Sequence, residues 1–432
     1  KNLKKGKYPV TLTALKDDKV LDSLWLEGFA SEQHFTMPNN GADLLVLNYD
    51  HSAPEFNRNN NWKRVHKNKI LNKPLQLRFL RDVEDPSKAQ IYAIPIAEFQ
   101  NIYDGLKVGI NFNNRGLLAK PFLYEIAPVY GSESNTMMGS AKAIFNIYHE
   151  NSSLYKTMFG MTLDRSSFDY GAFITKIQPY LQFQYREPNN LRSNQTKKLT
   201  FRYFSIQKDK SRSIIDENTI PPYNVFNIRF SNLDNNIDKF KKWAMDLQFS
   251  SDFGKLSTSY ELRKRTPKDQ HYNLRLFAGT FLYNSLPINE TNFDYALDRP
   301  TDYLFEYNYL GLSESSGILS QQLIVADGGF KSKLDPGFAN QWLTTLNASA
   351  SIWRYIQAYG DIGLVKNKNR NAYFAYDSGI RLDLITDYFE VYFPVYSNLG
   401  WEINQSNYTQ KIRFVFTADI SALASLLTRR WF

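Results

Sequence analysis

The sequence predicts an all-β protein, built on an antiparallel transmembrane β-barrel of about 16 strands, with about 14 as the alternative count. Tyrosine and phenylalanine number 28 and 31 among 432 residues, and such aromatic residues favour strands over helices. Apolar and polar residues alternate through most of the stretch from Leu106 to Thr417, as they do along strands whose two faces meet different surroundings. Many alternating segments reach about 10 residues, the length of a membrane-crossing strand, whereas sandwich strands have about 5–6.

The composition excludes several classes of protein. The absence of cysteine excludes disulfides, zinc fingers and a thiol nucleophile. No apolar run reaches about 18 residues, which excludes a membrane-spanning helix but leaves a barrel open. The net charge of +9 is assigned to a solvated surface or to contact with anionic lipid head groups, because no nucleic-acid-binding module accompanies it. Lys1 opens the chain without an apolar signal segment, so we expect a mature or partial chain.

Residues 1–100 are predicted to form a small periplasmic β-sandwich-like domain. Tyr8–Leu15 alternates between apolar and polar residues, and Val20–Phe29 returns after a polar turn as a second strand. Asp43–Leu47 adds a third strand, and short strands at such close spacing are typical of a sandwich. The stretch 75–99 that follows is interpreted as a linker or as a stub packed under the next domain.

Residues 101–419 are predicted to form the outer-membrane β-barrel. Hairpin-like alternation begins at Leu106 and lapses between Tyr283 and Trp342. A loop as long as Ser313–Pro336 inside a compact domain is usually functional or fills something. The predicted strands include Leu106–Asn113, Ile177–Arg186, Leu199–Ser205, Phe226–Ser231, Trp243–Ser250, Leu256–Arg263, Tyr272–Leu282, Trp342–Ser351, Tyr355–Lys366, Tyr373–Leu384, Phe389–Tyr396 and Gln410–Thr417.

One face of the predicted barrel strands carries the charged residues, which a membrane barrel turns toward its lumen. Both signs occur on neighbouring strands, so cross-strand ion pairs can form there. This mixture predicts a filled or plugged lumen rather than an ion-selective pore, and the lumen-facing charge network is assigned a structural role. Its members are Arg229, Asp246, Glu261, Arg263, Arg275, Asp361, Asp377, Arg381, Asp383, Glu390 and Arg413. The alternative is a large soluble β protein, for example one that binds carbohydrate, with these charges facing water.

The last residues depart from the two-residue period of strands. From Ile420 the apolar residues recur at helical spacing, which predicts a short C-terminal helix over residues 420–432. Trp431 and Phe432 end this helix and are predicted to be interface anchors, because large aromatic residues concentrate where a membrane meets water.

No catalytic, cofactor-binding or metal-binding residue is predicted. A zinc peptidase needs two histidines one helical turn apart and a carboxylate, in the pattern H-E-x-x-H. His149 and Glu150 begin that pattern, but no second histidine follows them at the required spacing. Neither a G-x-S-x-G elbow nor a phosphate-binding glycine loop is present. We therefore do not expect the chain as given to be catalytic.

Four stretches resemble one group of proteins: Pro54–Trp62, Ala89–Gly131, Tyr307–Asp335 and Tyr376–Glu402. In them the chain is similar to the C-terminal half of large, outer-membrane-associated zinc metallopeptidases of the aminopeptidase N (gluzincin) group. The resemblance implies a Gram-negative outer membrane and a parent protein with a zinc-dependent catalytic domain upstream. It implies no cofactor in this chain, and zinc only in such an upstream domain.

These observations lead to two functional expectations. In the first, the chain is an outer-membrane anchor or scaffold, the membrane part of an aminopeptidase-like protein. In the second, it is a barrel subunit of a larger outer-membrane complex for protein assembly, export or uptake, without peptidase activity. The expected partners are outer-membrane lipid, lipopolysaccharide and other outer-membrane proteins or lipoproteins, but not nucleic acid. The barrel is expected in the outer membrane and the N-terminal domain in the periplasm.

Overall fold

A computed structural model describes most of the chain. The described residues are 7–29, 32–55, 58–65, 73–79, 84–99, 101–116, 119–187, 189–190, 192–209, 221–307, 316–325 and 327–416. They belong to two compact units, one made of residues 1–95 with 110–126 and the other of residues 96–109 with 127–432.

The first unit contains a small antiparallel sheet. Its strands are β1 (Val10–Lys16), β2 (Lys19–Leu26), β3 (Leu44–Leu47) and β4 (Trp62–Arg64), in the order β2-β1-β3-β4. Ala14, Leu15, Leu26 and Val46 are buried in this unit. Farther along the chain, β5 (Leu75–Phe79) pairs in parallel with β6 (Ala89–Phe99).

A second, much larger sheet is a closed barrel of 18 strands. Its hydrogen-bonded order follows the chain from β5 to β16 and then from β19 to β24, and β22 also pairs with β24. The two-residue strands β17 (Tyr295–Ala296) and β18 (Phe338–Ala339) pair separately. The remaining strands are β7 (Leu106–Asn113), β8 (Phe122–Gly131), β9 (Thr136–Tyr148), β10 (Leu154–Asp169), β11 (Ala172–Tyr185), β12 (Gln195–Lys208), β13 (Tyr223–Asn235), β14 (Lys239–Phe249), β15 (Phe253–Arg265), β16 (His271–Asn284), β19 (Trp342–Trp353), β20 (Ile356–Lys366), β21 (Tyr373–Ile385), β22 (Phe389–Ser397), β23 (Gly400–Trp401) and β24 (Arg413–Phe416).

The predicted β-barrel class is confirmed, and its strand count differs for a physical reason. Residues 75–99, interpreted from the sequence as a linker or as a stub packed under the next domain, instead contribute β5 and β6 to the barrel. The first of these strands has only five residues and the second contains Pro95, so neither resembles a membrane-crossing strand. Residues 410–412 were predicted to be strand, but a 3₁₀ turn at Tyr408–Gln410 delays β24 to Arg413. The helix predicted for residues 420–432, with Trp431 and Phe432, lies outside the described residues. The domain boundaries predicted from the sequence stay predictions.

Helices contribute little to the described part of the chain, which contains two short 3₁₀ segments, Ile318–Gln321 and Tyr408–Gln410. Within those same residues, no helix is both long and apolar enough to cross a membrane.

Burial alternates along the barrel strands in a sense opposite to that of a soluble sheet. On β20, Asp361 is 1% exposed whereas its neighbour Ile362 is 45% exposed. On β21, Arg381 is 7% exposed whereas Phe374 is 53% exposed. Charged side chains therefore face inward and apolar ones outward, which is the arrangement of a barrel surrounded by lipid.

The two ends of the barrel differ in the length of their connections. At the short-turn end, residues 236–238, 266–270, 354–355 and 386–388 join consecutive strands. At the long-loop end, the connections are residues 209–222, 285–341 and 398–412, alongside shorter turns. Outer-membrane barrels carry their short turns on the periplasmic side and their longer loops outside.

Candidate functional site

The connection between β16 and β19 folds against the inward face of the barrel. We call residues 285–341 the luminal insert, of which 285–307, 316–325 and 327–341 are described. It contains β17, the 3₁₀ turn Ile318–Gln321 and β18, and the pairing of Tyr295 with Ala339 closes it into a long loop. Three apolar clusters and several ion pairs hold it to the inward side chains of the barrel wall.

The first apolar cluster is centred on Phe330, a fully buried side chain of the luminal insert. Inward residues of β16, β19, β20 and β21 surround it, so a continuous apolar core lies between insert and wall. Burying one such aromatic side chain contributes roughly 1.5–3 kcal/mol. The buried members of this cluster are Phe277, Tyr295, Leu297, Phe330, Leu334, Ala339, Leu343, Val365 and Ala375.

The second apolar cluster lies beside Lys255, an inward residue of β15 that is 4% exposed. Its buried members are Ile174, Phe204, Ile206, Val225, Phe253, Phe293 and Leu304. The Lys255 ammonium donates to the carbonyl of Phe293 at 2.7 Å and to the hydroxyl of Tyr303 at 3.2 Å. It also lies 4.0 Å from the ring centroid of Tyr295, within cation–π range. Phe253 packs on Phe293 with ring centroids 5.0 Å apart. A wall lysine is thus held by a carbonyl and aromatic rings of the insert.

Lys331 makes the most buried ion pair between the insert and the wall. Its Nζ lies 2.8 Å from Asp361 Oδ2 and 3.0 Å from Oδ1, and the Lys331 and Asp361 side chains are 7% and 0% exposed. The backbone N–H groups of Lys331 and Ser332 donate to Asp377 Oδ2 at 2.8 and 2.7 Å. Asp361 and Asp377 face each other across β20 and β21, so two adjacent carboxylates receive one turn of the insert.

Two further polar contacts extend this attachment. The Ser332 hydroxyl donates to Glu402 Oε1 at 2.5 Å, and Lys411 pairs with Glu402 Oε2 at 3.1 Å. Arg413 of β24 donates to the Lys331 carbonyl at 3.2 Å and pairs with Asp298 at 3.0 Å. Glu402 and Arg413, both buried, are therefore each paired with a group of opposite charge, which offsets the cost of removing them from water.

A close turn brings the insert against its own β17. The N–H of Gly328 donates to the carbonyl of Ala296 at 2.9 Å, and Asp327 Oδ2 accepts from the N–H of Ala296 at 3.2 Å. A Cβ at Gly328 would lie 2.6 Å from the backbone of Leu297, so only glycine fits there. Arg275 of the wall donates to the Asp327 carbonyl at 2.6 Å.

Glu306 connects the insert to β12 and β13. It forms an ion pair with Arg202, and its Oε2 lies 3.3 Å from Arg229 Nη2. Arg229 also pairs with Asp246 at 2.5 Å across its strand. The carboxylate of the insert therefore joins a cross-strand ion pair that already exists in the wall.

The other residues of the predicted charge network form pairs within the wall. Arg381 lies 2.6 Å from Glu390 and 3.4 Å from Asp383. Arg263 lies 2.6 Å from Glu261 and also pairs with Asp387, in the turn between β21 and β22. Among the described residues, no three His, Asp or Glu side chains are grouped to hold a metal ion.

Two carboxyl groups of the luminal insert are strongly desolvated. Burial raises the pKa of Asp294 to about 7, although Lys255 opposes the shift. Burial also raises the pKa of Asp302 to about 7, against the backbone N–H groups of Glu306 and Tyr307 that donate to it. Near neutral pH each group is protonated in a substantial fraction of molecules, so the insert carries less negative charge than its composition suggests.

Sequence reasoning missed the insert side of these contacts. Lys331, Asp298 and Glu306 lie in a segment without periodicity, and alternation is what allows a side chain to be assigned to a face. Lys255 was missed for a different reason, because a single lysine in a strand resembles any lumen-facing charge. The available signal was the length of the loop itself, which indicated a plug but not its contacts.

Comparisons with solved structures gave similarities that include a BamA and a CdiB. A BamA from Haemophilus ducreyi lacking POTRA domains 1–3 is 9% identical, with a TM-score of 0.39, over 76% of this chain and 71% of that one. CdiB from Acinetobacter baumannii is also 9% identical, with a TM-score of 0.32, over 71% of this chain and 57% of that one. With TM-scores below 0.5, neither similarity decides what this chain does. No family model and no curated protein matches the chain.

The resemblance to zinc metallopeptidases of the aminopeptidase N group is wrong. The solved structures similar to this chain include a BamA and a CdiB, and no family model supports the resemblance. The four stretches that suggested it are strand, turn and insert segments, in which alternation and turn residues make unrelated β proteins look alike. The expectation of a peptidase parent is withdrawn with it.

Proposed function

We propose that this chain is an outer-membrane β-barrel whose lumen is closed by its own insert. We further propose that it serves as a barrel subunit of a larger complex for protein assembly, export or uptake. The observation that carries the proposal is the inversion of burial, with Asp361 and Arg381 inside and Ile362 and Phe374 outside. A closed sheet with an apolar exterior suits lipid, and Gram-negative outer membranes are where bacterial barrels of this kind are found.

The filled lumen separates this barrel from a diffusion pore. Phe330, Leu297 and Leu323 of the insert are 2% exposed or less, so the apolar contacts are dry. The polar contacts, by contrast, can exchange their partners for water if the insert leaves, because the wall around Asp361 and Asp377 is hydrophilic. A plug attached in this way is compatible with displacement by a partner or a substrate. The second candidate, a passive anchor, has the same exterior but an insert that never leaves.

Conductance in planar bilayers tests the proposal. We expect the intact chain to be closed apart from brief openings, and a variant with residues 290–337 replaced by a glycine-serine linker to give large, stable current steps. Equal, low conductance of both forms would contradict the closing role of the insert.

A disulfide lock distinguishes a displaceable plug from a passive one. Gln322 and Phe414 are Cα partners in a parallel bridge between the insert and β24, a spacing that a disulfide can span. The chain has no other cysteine, so Q322C/F414C forms a single defined pair. We expect brief openings of the intact barrel to vanish in the oxidised variant and to return on reduction, with the two single-cysteine variants as controls. Openings unaffected by the lock would favour a passive anchor.

A further inference from the structure

A shallow apolar groove lies on the outward face of the barrel near its short-turn end. It has a volume of 510 Å³, within the range of about 300–1,000 Å³ for small-molecule sites. Its floor consists of Ala348 and Ala350 on β19 with Ala358 and Gly360 on β20. Four small residues thus stand together on a face where neighbouring positions carry large ones.

The strand register creates this groove. Ala350 faces Ala358 and Ala348 faces Gly360 across the pair of strands, so the small residues form a two-by-two patch. The next outward pair is Leu346 with Ile362, which closes the groove toward the middle of the barrel. A wall is supplied by Tyr272 and Leu274, the β16 partners of Ala350 and Ala348.

Lysines stand at the side of the groove nearest the short turns. Lys264 lines the groove, and it is the direct cross-strand partner of Lys239, with Lys241 one outward position further along β14. In the described part of the chain, none of these three ammonium groups has a carboxylate within 4.0 Å. Lys241 faces Asp234 across β13, so the unbalanced positive charge at this edge belongs to Lys239 and Lys264. Like charges placed directly opposite on a sheet are destabilising, and an anion between them would relieve the repulsion.

We propose that the groove binds one acyl chain of an anionic glycerophospholipid, with the lipid phosphate between Lys239 and Lys264. The apolar floor accepts a hydrocarbon chain, and basic residues at a membrane surface attract anionic head groups. The short-turn end corresponds to the periplasmic leaflet, which selects phospholipid rather than lipopolysaccharide as the occupant. This inference rests on the membrane placement proposed above.

Photolabelling of the full chain in lipid nanodiscs tests the inference. The probe is a phosphatidylglycerol with a photoreactive group on its acyl chain, in a phosphatidylcholine background. We expect labelling to concentrate on the peptide that spans Ala348–Gly360, and A350L/A358L to reduce it about tenfold by filling the groove. The matched control is A278L/T344L, a cross-strand pair of outward residues on β16 and β19 outside the groove, which should label like the unaltered chain.

The head-group part of the inference has its own comparison. With K239Q/K264Q, we expect labelling by the phosphatidylglycerol probe to fall to the level given by an equivalent phosphatidylcholine probe. Equal labelling by both probes on the unaltered chain would overturn the inference. An equal loss of labelling in A350L/A358L and in the control A278L/T344L would overturn it as well. Occupation of the groove by a second copy of the chain, seen as a crosslinked dimer through these residues, would overturn it too.

Failure of the inference is distinguishable from failure of the proposed function. Each variant is first checked for insertion into nanodiscs and for a heat-dependent shift on gels, which reports the folded barrel. A chain that does not insert contradicts the membrane placement itself. A chain that inserts but labels uniformly around its circumference contradicts the lipid groove alone.

Discussion

Replacing Lys331 by Met is expected to destabilise the barrel by about 3–5 kcal/mol. The substitution leaves Asp361 with a fully buried side chain and no cation, although Asn347 still donates to it at 3.0 Å. A buried carboxylate without a cation lowers the free energy of unfolding by far more than the intact ion pair raises it, because no attraction then offsets the loss of the carboxylate's hydration. Denaturant unfolding in detergent micelles, followed by tryptophan fluorescence, measures the change in free energy.

Two companion variants make this prediction specific. R265M removes the cation of an exposed pair, Arg265 with Asp269, and should change the free energy of unfolding by no more than about 1 kcal/mol. K331M/D361N removes both buried charges, and we expect it to recover most of the lost stability. Equal effects of K331M and R265M would mean that the Lys331 contact is exposed to water and does not hold the insert.

Replacing Ile362 by Arg is expected to cost about 2–4 kcal/mol in lipid, because this outward side chain lies near the middle of β20. A guanidinium at that depth must lose its water or distort the surrounding lipid. The measurement is the free energy of unfolding from lipid vesicles.

The matched control for Ile362 is Ile352→Arg, on the same outward face of the adjacent strand but at the short-turn end. Arginine there should cost about 0–1 kcal/mol, because the side chain reaches the interface. Similar, small costs at both positions would indicate that water, not lipid, surrounds the outward face.

The barrel itself was predictable because its strands alternate apolar residues, which face lipid, with polar residues, which face the lumen. Along β20 and β21 the sequence alternates so regularly that the faces of Asp361, Asp377 and Arg381 follow from it directly. The strand count was harder to predict, because β5 has only five residues and β6 contains Pro95, so neither has the length and composition expected of a membrane-crossing strand.

The contacts of the luminal insert were not predictable from the sequence. From the sequence, Asp361, Asp377, Asp383 and Glu390 could line up across neighbouring strands with Arg381 and Arg413 among them, and pairing is the natural expectation. In the structure Arg381 pairs with Asp383 and Glu390, whereas Asp361 pairs with Lys331 of the insert, which returns to the wall more than 40 residues after leaving β16. The sequence of such a long segment does not determine where it folds back onto the wall. The partner of each charged wall residue can therefore be identified only from the structure.

Lipid exposure along β19 tests the central claim most directly. Since the chain lacks cysteine, spin labels can be attached one at a time at outward Thr344, Leu346, Ala348 and Ala350, with Lys268 in a turn as the aqueous control. In proteoliposomes we expect high accessibility to oxygen and low accessibility to a water-soluble nickel chelate at all four β19 positions, and the reverse at Lys268. Nickel accessibility at those four positions equal to that at Lys268 would contradict a membrane-embedded barrel.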